Sequence, residues 1–268
     1  MMNYNEIQAS PHLSNYIRCF WTISAKLDDL KGNKLLFPSR GYFDLDFNIT
    51  GELIRRNNNK DTVCKEAYLC GINNDYIEVE VLSDVEIFGV RFCHSGAFFL
   101  FNIPLDEFTG LNINLLDITL NDRLSNKILE SKNTKERITI IEDLMTKNIM
   151  NNKPNLRVHD SVQKMYNYSG NISSASLSKY LNLSERQFRR VFKTYVGLPP
   201  KALSRIIRFQ SMLSAYRTKK TDVIWKTIEQ CGYIDQSHIC KDFKYFTTQS
   251  SKQFISNEND VVRYFNKI

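Results

Sequence analysis

The chain has 268 residues, 42% of them hydrophobic, and a formal net charge of +7 at pH 7. This length predicts two domains, and the hydrophobic content suffices for a core in each. No apolar run is long enough for a membrane span or resembles a secretory signal, because Asn102 and Pro104 interrupt the longest one, so we expect a cytoplasmic protein.

The six cysteines include no CxxC pair. This spacing signals neither a zinc ribbon nor a disulfide framework, and reduced thiols are the default in the cytoplasm. The chain also contains no Gly-rich phosphate loop and no nucleophile elbow. We therefore expect no enzyme activity, no metal and no cofactor.

The first half of the chain has the alternation of β-strands. Residues 42–49 alternate apolar with polar side chains, which predicts a half-buried strand, and residues 78–81 and 86–92 continue in the same manner. Asp44 and Asp46 lie two apart and so share one strand face. We expect them to be solvated residues of the outer face rather than a catalytic carboxylate pair.

From about residue 120 the apolar period becomes helical. Residues 124–129 and 138–149 carry apolar stripes that predict two amphipathic helices with a break near residues 131–134. These stripes would close either an intramolecular core or a dimer interface. The polar, proline-bearing residues 151–155 are the best candidate for an interdomain linker.

Residues 174–196 and 223–246 have the pattern of one two-helix unit written twice. Leu181 aligns with Cys231 at an offset of 50 positions. Phe192 aligns with Phe243 at 51, so one residue is inserted in the second turn. A short connection containing Gly232, which can adopt positive φ, is typical of a helix-turn-helix. An ordinary helical hairpin repeat is the alternative.

The distribution of charge favours nucleic acid over that alternative. From residue 154 onward there are 19 Lys and Arg against 8 Asp and Glu, a net of +11, whereas residues 1–153 hold 17 against 21, a net of −4. Basic side chains on a helix that enters the major groove neutralise phosphates and contact guanine.

Residues 157–254 resemble the DNA-binding domain of the AraC/XylS transcription regulators. The most specific match is the run CGYIDQSH at 231–238, followed by KDFK at 241–244. The first unit matches through Leu183, Phe188, Phe192 and Gly197, with Pro200 opening a connecting helix. The second copy departs from the family at its exit, where residues 248–251 read TQSS and lack the usual glycine.

The resemblance implies an α+β protein with an N-terminal β-rich, barrel-like domain bearing helices and a C-terminal all-α domain of two helix-turn-helix units joined by a long helix. We place a regulatory domain at 1–150, a linker at 151–156 and the DNA-binding domain at 157–268. The runs FPSRGYFDL at 37–45 and FGVRF at 88–92 are similar to a small-barrel-like regulatory domain found in part of the family.

The resemblance also implies which side chains contact DNA. Carried over position by position, the family's contacts fall early on each second helix, the end that approaches base edges. In the first unit they are Arg186, Gln187, Arg189, Arg190 and Lys193. In the second unit they are Gln236, Ser237, His238, Cys240, Lys241 and Lys244. Because the first set is richer in arginine, we expect it to dominate specificity, with the second supplying register and affinity.

Two functions remain open. The first is a sequence-specific regulator that binds double-stranded DNA, acts with RNA polymerase and responds through its N-terminal domain to a small-molecule effector or a partner chain, a homodimer included. The second is a DNA alkylation-response protein with a reactive cysteine on the same scaffold. Cys93 beside His94 is the strongest thiol candidate if Arg91 lowers its pKa, although we expect a structural role.

Overall fold

The computed structural model describes residues 2–30, 32–57, 60–119, 123–151, 156–258 and 262–263. Residues 152–155, the centre of the predicted linker, lie outside this part. Residue 151 belongs to the helix before them and residue 156 to the helix after them. In the described residues, no helix is both long and apolar enough to cross a membrane.

The N-terminal domain is built from two antiparallel sheets. The strands are β1 (Asn3–Ile7), β2 (Ile17–Ala25), β3 (Lys34–Pro38), β4 (Asp44–Thr50), β5 (Leu53–Asn57), β6 (Lys60–Cys64), β7 (Ala67–Cys70), β8 (Tyr76–Val81), β9 (Val85–Phe92) and β10 (Asn112–Asn114). One sheet has the order β1-β2-β9-β4-β7-β10, and the other has β3-β8-β5-β6. Side chains of both sheets line a common cavity, so the sheets form a barrel-like enclosure.

The helices follow in chain order. They are α1 (Gly96–Phe101), α2 (Leu115–Thr119), α3 (Arg123–Leu129), α4 (Thr134–Asn151), α5 (Leu156–Asn167), α6 (Ser174–Tyr180), α7 (Glu185–Val196), α8 (Pro200–Thr218), α9 (Thr221–Cys231), α10 (Gln236–Thr247) and α11 (Ser251–Asn257). The helices α3 and α4 confirm the amphipathic pair. Ile141 and Met145 of α4 are fully buried, and α4 packs on α1 and α3, so its stripe closes an intramolecular core.

The prediction that Asp44 and Asp46 are solvated was wrong. Both are buried, with 1% and 0% of their surface exposed. The alternation correctly placed them on one face of β4, but β4 is an interior strand of the six-stranded sheet. The Arg91 guanidinium binds Asp44 and the Arg55 guanidinium binds Asp46 at 2.8 Å, because a buried carboxylate requires a partner.

The C-terminal domain has the predicted duplicated architecture. The helices α6 and α7 form the first unit, α9 and α10 form the second, and α8 joins them. Pro199 precedes α8 as its N-cap, and Pro200 occupies its first turn, where a missing N–H costs nothing. The cores of the two units differ. The first unit encloses its own cluster with α5, whereas the buried residues of the second are continuous with the N-terminal core.

Candidate nucleic-acid interface

The first recognition helix, α7, presents its basic side chains to solvent. Phe188 and Phe192 are buried on the opposite face against α5 and α6. Ser184 caps the helix by accepting from the Gln187 N–H, and the Gln187 side chain accepts from the Ser184 N–H in return. This reciprocal capping box fixes the start of the helix, the end that is predicted to meet base edges.

The predicted contact residues of the first unit lie together on this surface, and all five are exposed: Arg186, Gln187, Arg189, Arg190 and Lys193. They are not equivalent. The Gln187 carbonyl oxygen is occupied by the capping box. The Arg189 guanidinium donates to Glu185 at 2.8 Å, and the Lys193 ammonium pairs with Asp106 of the N-terminal domain. Arg186 and Arg190 have no ion-pair partner among the described residues.

The second recognition helix, α10, starts from a different cap. The Asp235 carboxylate accepts from the His238 N–H and from the Ser237 hydroxyl, both at 2.7 Å. The Ser237 hydroxyl and the His238 N–H hold the pKa of Asp235 below its ordinary value. The Ser237 hydroxyl is thereby engaged within the protein.

Five predicted contact residues of the second unit are exposed: Gln236, Ser237, Cys240, Lys241 and Lys244. The sixth, His238, is half-buried, and its ring meets the edge of the Tyr233 ring at 5.0 Å between centroids. His238 thus packs at the start of α10 in this structure. Ile239 and Phe243 of α10 are buried.

The inserted residue of the second turn can be located. In each unit one residue of the turn has positive φ, Asn182 at 53° and Gly232 at 66°. One residue separates Asn182 from its N-cap Ser184, and two separate Gly232 from Asp235. The additional residue is Ile234, which is 90% exposed. A large apolar side chain therefore projects beside the start of the second recognition helix.

A buried carboxylate fastens the second recognition helix to the connecting helix. Asp242 of α10 accepts from the Arg205 Nε at 2.7 Å and from the Tyr233 hydroxyl at 2.9 Å. Burial together with the Asp242 carboxylate raises the pKa of Tyr233, so the hydroxyl stays protonated and donates. Sequence analysis treated Asp242 only as part of a family signature. A carboxylate on the apolar face of an otherwise amphipathic helix was the available signal.

The N-terminal domain contacts both recognition helices. The 3₁₀ helix Leu105–Phe108 packs on α7, while strands β3 and β8 pack on α10. The Phe98 ring lies 4.3 Å from that of Tyr195, and the Thr109 hydroxyl donates to the Gly197 carbonyl at 2.5 Å. The Phe98 and Thr109 contacts are at the last turn of α7 and leave its first turns exposed.

The barrel encloses an apolar cavity with charge at one side. Side chains of both sheets line it, among them Ile23, Leu35 and Val79, together with two arginines, Arg40 and Arg55. The Arg55 Nε is buried and has no hydrogen-bond partner among the described residues. Sequence analysis missed this site because its members are dispersed over seven chain segments.

The residues around Arg40 touch the DNA-binding domain. The Ser39 carbonyl accepts from Gln210 of α8 at 2.5 Å, and the space beside Gly41 is filled by Leu203 and Ile206 of the same helix. The loop between β3 and β4 thus borders the cavity on one side and the connecting helix on the other. A displacement of this loop would act directly on α8.

The structure gives no support to a reactive thiol at Cys93. Burial raises its pKa to about 11, and Arg91, which was expected to lower it, is turned toward Asp44. His94 is buried between Tyr42 and Tyr166, with ring centroids 5.0 and 5.2 Å away. Within the described part of the chain, no three His, Cys, Asp or Glu side chains converge in a way that could hold a metal ion.

Comparison with protein families supports the assignment of the C-terminal domain. Residues 177–257 match a helix-turn-helix domain, and residues 5–114 match a domain of unknown function, DUF6597. The C-terminal part of the chain is an AraC-type helix-turn-helix domain. The resemblance seen in the sequence is confirmed for this part of the chain, which has the DNA-binding domain of a transcription regulator. A comparison with curated proteins gives no match.

Solved structures are similar to this chain at low sequence identity. ToxT from Vibrio cholerae is similar with a TM-score of 0.50 at 13% identity, covering 88% of this chain and 98% of that one. A ToxT structure from strain SCE256, described as bound to an unsaturated fatty acid, has a TM-score of 0.43 at 13% identity and covers 95% and 94%. The AraC-like transcriptional activator CuxR has 0.30 at 13%, covering 84% and 90%.

Proposed function

We propose that this protein is a sequence-specific regulator that reads two adjacent major grooves of double-stranded DNA with α7 and α10. The observation that carries the proposal is the set of basic side chains exposed on the first turns of α7, opposite a buried aromatic face. Exposed guanidiniums on a capped helix can make bidentate contacts to guanine. The helix α8 fastens both units, so a single duplex would meet both helices.

The test begins with selection of a preferred duplex for the full chain and footprinting on it. Arg190→Ala should weaken binding to that duplex by about 1 to 3 kcal/mol and relax base choice at one position. Lys135→Ala, which removes one exposed positive charge from α4, is the matched control and should bind as the parent does. Parental affinity in Arg190→Ala would contradict the assignment.

The same footprint tests the predicted homodimer. Two protected half-sites, in phase with the turns of the duplex, are expected if two chains bind together. One protected half-site would instead support a monomer. Contact with RNA polymerase is a separate proposal, tested by whether transcription from the bound promoter in a purified system depends on this chain.

We further propose that the N-terminal domain controls DNA binding through a small organic anion with an apolar body. The apolar walls of the barrel cavity and its two guanidiniums, Arg40 and Arg55, support this chemistry, because ligand sites are mostly apolar with a few polar groups that fix orientation. A ToxT structure is described as holding an unsaturated fatty acid. The loop that carries Arg40 contacts α8, which provides a route to the recognition helices.

Decanoate and its uncharged counterpart decan-1-ol are suitable probes. Calorimetry on the full chain should show decanoate binding at least ~10-fold more tightly than the alcohol, because a guanidinium attracts a carboxylate. Ala25→Leu fills the cavity and should abolish the binding of both probes. Ser24→Leu, at an exposed position on the same strand, should leave the binding of both unchanged. Equal binding by Ala25→Leu and parent would contradict the site.

A further inference from the structure

A second basic groove lies on the DNA-binding domain and shares Arg189 with the predicted DNA contacts. It lies between α6, the first turns of α7 and the first half of α8. Three cationic side chains line it, Arg189 of α7 with Lys201 and Arg208 of α8, against one carboxylate, Glu185. The groove therefore has a local excess of positive charge.

One of the three cations has an unused donor. The Arg208 Nε is buried and finds no hydrogen-bond partner among the described residues. A buried donor that is left unsatisfied costs free energy unless a ligand accepts from it. The Arg208 guanidinium lies 5.7 Å from the centre of the Tyr233 ring, which holds it near the second unit. The Arg208 side chain also lines the groove, so a small movement of its guanidinium would bring this donor to an acceptor bound there.

The groove lies where the two helix-turn-helix units meet. Its wall includes Gly170 and Asn171, and the Asn171 side chain fills the space beside Gly232 in the second turn. On its other side the groove shares Arg189 with the exposed surface of the first recognition helix. A duplex that enters both units must carry its backbone across this junction.

We propose that this groove binds a phosphate of the DNA backbone between the two major grooves, with Lys201 and Arg208 as its positioning residues. The proposal rests on the proposed function. Phosphate contacts fix the register of a protein on the duplex and carry no base information themselves. Binding would draw Arg189 away from Glu185, since the phosphate competes with that carboxylate for the same guanidinium. Arg189 would thus take part both in positioning the DNA backbone and in contacting bases.

The salt dependence of duplex binding tests the assignment. For the full chain on its preferred duplex and on an unrelated one, Lys201→Ala should lower affinity by the same factor and reduce the slope of log K against log salt by about one. Arg208→Gln should do the same, and Arg208→Lys, which keeps the charge, should retain the slope. Lys147→Ala, exposed on α4, is the control with an unchanged slope.

Three outcomes would overturn the proposal. The first is a parental slope in both Lys201→Ala and Arg208→Gln. The second is a selective loss on the preferred duplex, which would make these residues base readers. In the third, inorganic phosphate at matched ionic strength stabilises the parent but not Arg208→Gln, and yet it does not compete with DNA for the protein. If the parent protein binds all duplexes with equal affinity, sequence-specific readout is contradicted. The salt dependence of binding can still be measured in that case, so the failure of the proposed function and the failure of the phosphate site are distinguishable.

Discussion

The Lys193 ammonium lies 3.1 Å from the Asp106 carboxylate, and this ion pair joins the last turn of the first recognition helix to the N-terminal domain. A predicted DNA contact is therefore occupied by a residue of the other domain. The pair is partly exposed, so it can open when a phosphate competes for the lysine. Through this contact, Asp106 of the N-terminal domain would compete with DNA phosphates for the Lys193 ammonium.

Asp106→Asn should tighten duplex binding several-fold at low salt. The change frees the Lys193 ammonium, and a partly exposed ion pair contributes up to about 1 kcal/mol. Fluorescence anisotropy with a labelled duplex measures the effect. Glu107→Gln, an exposed neighbour, is the charge-matched control. The gain should vanish in a Lys193→Ala background; an equal gain there would show that Asp106 acts through another group.

Thr248→Gly should stabilise the protein by about 1 kcal/mol. Thr248 ends α10 with φ at 60°, a left-handed conformation that is unfavourable for a β-branched residue and accessible to glycine. Urea unfolding measures the change. Thr248→Ala removes the hydroxyl and keeps the Cβ, so it should show no comparable gain. Equal stabilisation by both substitutions would mean that the backbone conformation is not the cause.

Acidification should weaken the contact between the domains at His94. Burial lowers the pKa of His94 to about 3, so the folded protein holds it neutral while the unfolded chain protonates near pH 6.5. The contribution of neutral His94 to the free energy of unfolding is fully present above pH 6.5 and is lost as the pH falls toward 3. By pH 5 the loss amounts to about 2 kcal/mol.

Comparison with His94→Asn isolates this effect. Asparagine keeps a donor for the Gly41 carbonyl, which accepts from Nδ1 at 2.9 Å, and does not titrate. Burial raises the pKa of Asp46 to about 6, which favours the folded state as pH falls and acts in the opposite direction. The difference between parent and variant cancels the Asp46 contribution. Parallel stability curves from pH 7 to 5 would disprove the prediction.

Asp242→Asn should destabilise the second unit by about 1 to 3 kcal/mol, because the Arg205 and Tyr233 donors lose a charged acceptor. Hydrogen exchange of α10 measures the loss locally. Asp222→Asn, exposed at the start of α9, is the matched control and should leave exchange in α10 unchanged. Unaltered protection in Asp242→Asn would show that apolar packing alone fastens this helix.

Local sequence patterns were sufficient to predict the helices and strands and the resemblance to the family. The glycine at 232 in the second turn and the proline at 200 that opens the connecting helix each act within one or two turns of chain, and the structure confirms both. The two-residue period around Asp44 likewise predicted its strand. It could not predict burial, since exposure depends on the sheet that covers the strand from elsewhere in the chain.

The sequence by itself determined the α+β fold, the duplicated helix-turn-helix and the basic surface of the first recognition helix, because periodicity, caps and charge are local properties. Only the tertiary structure brought Arg40 and Arg55 to one cavity, Lys193 to Asp106, and Lys201 and Arg208 to one groove. Each of these groups joins segments that are distant in the chain, and packing free energy rather than sequence spacing decides which of them meet.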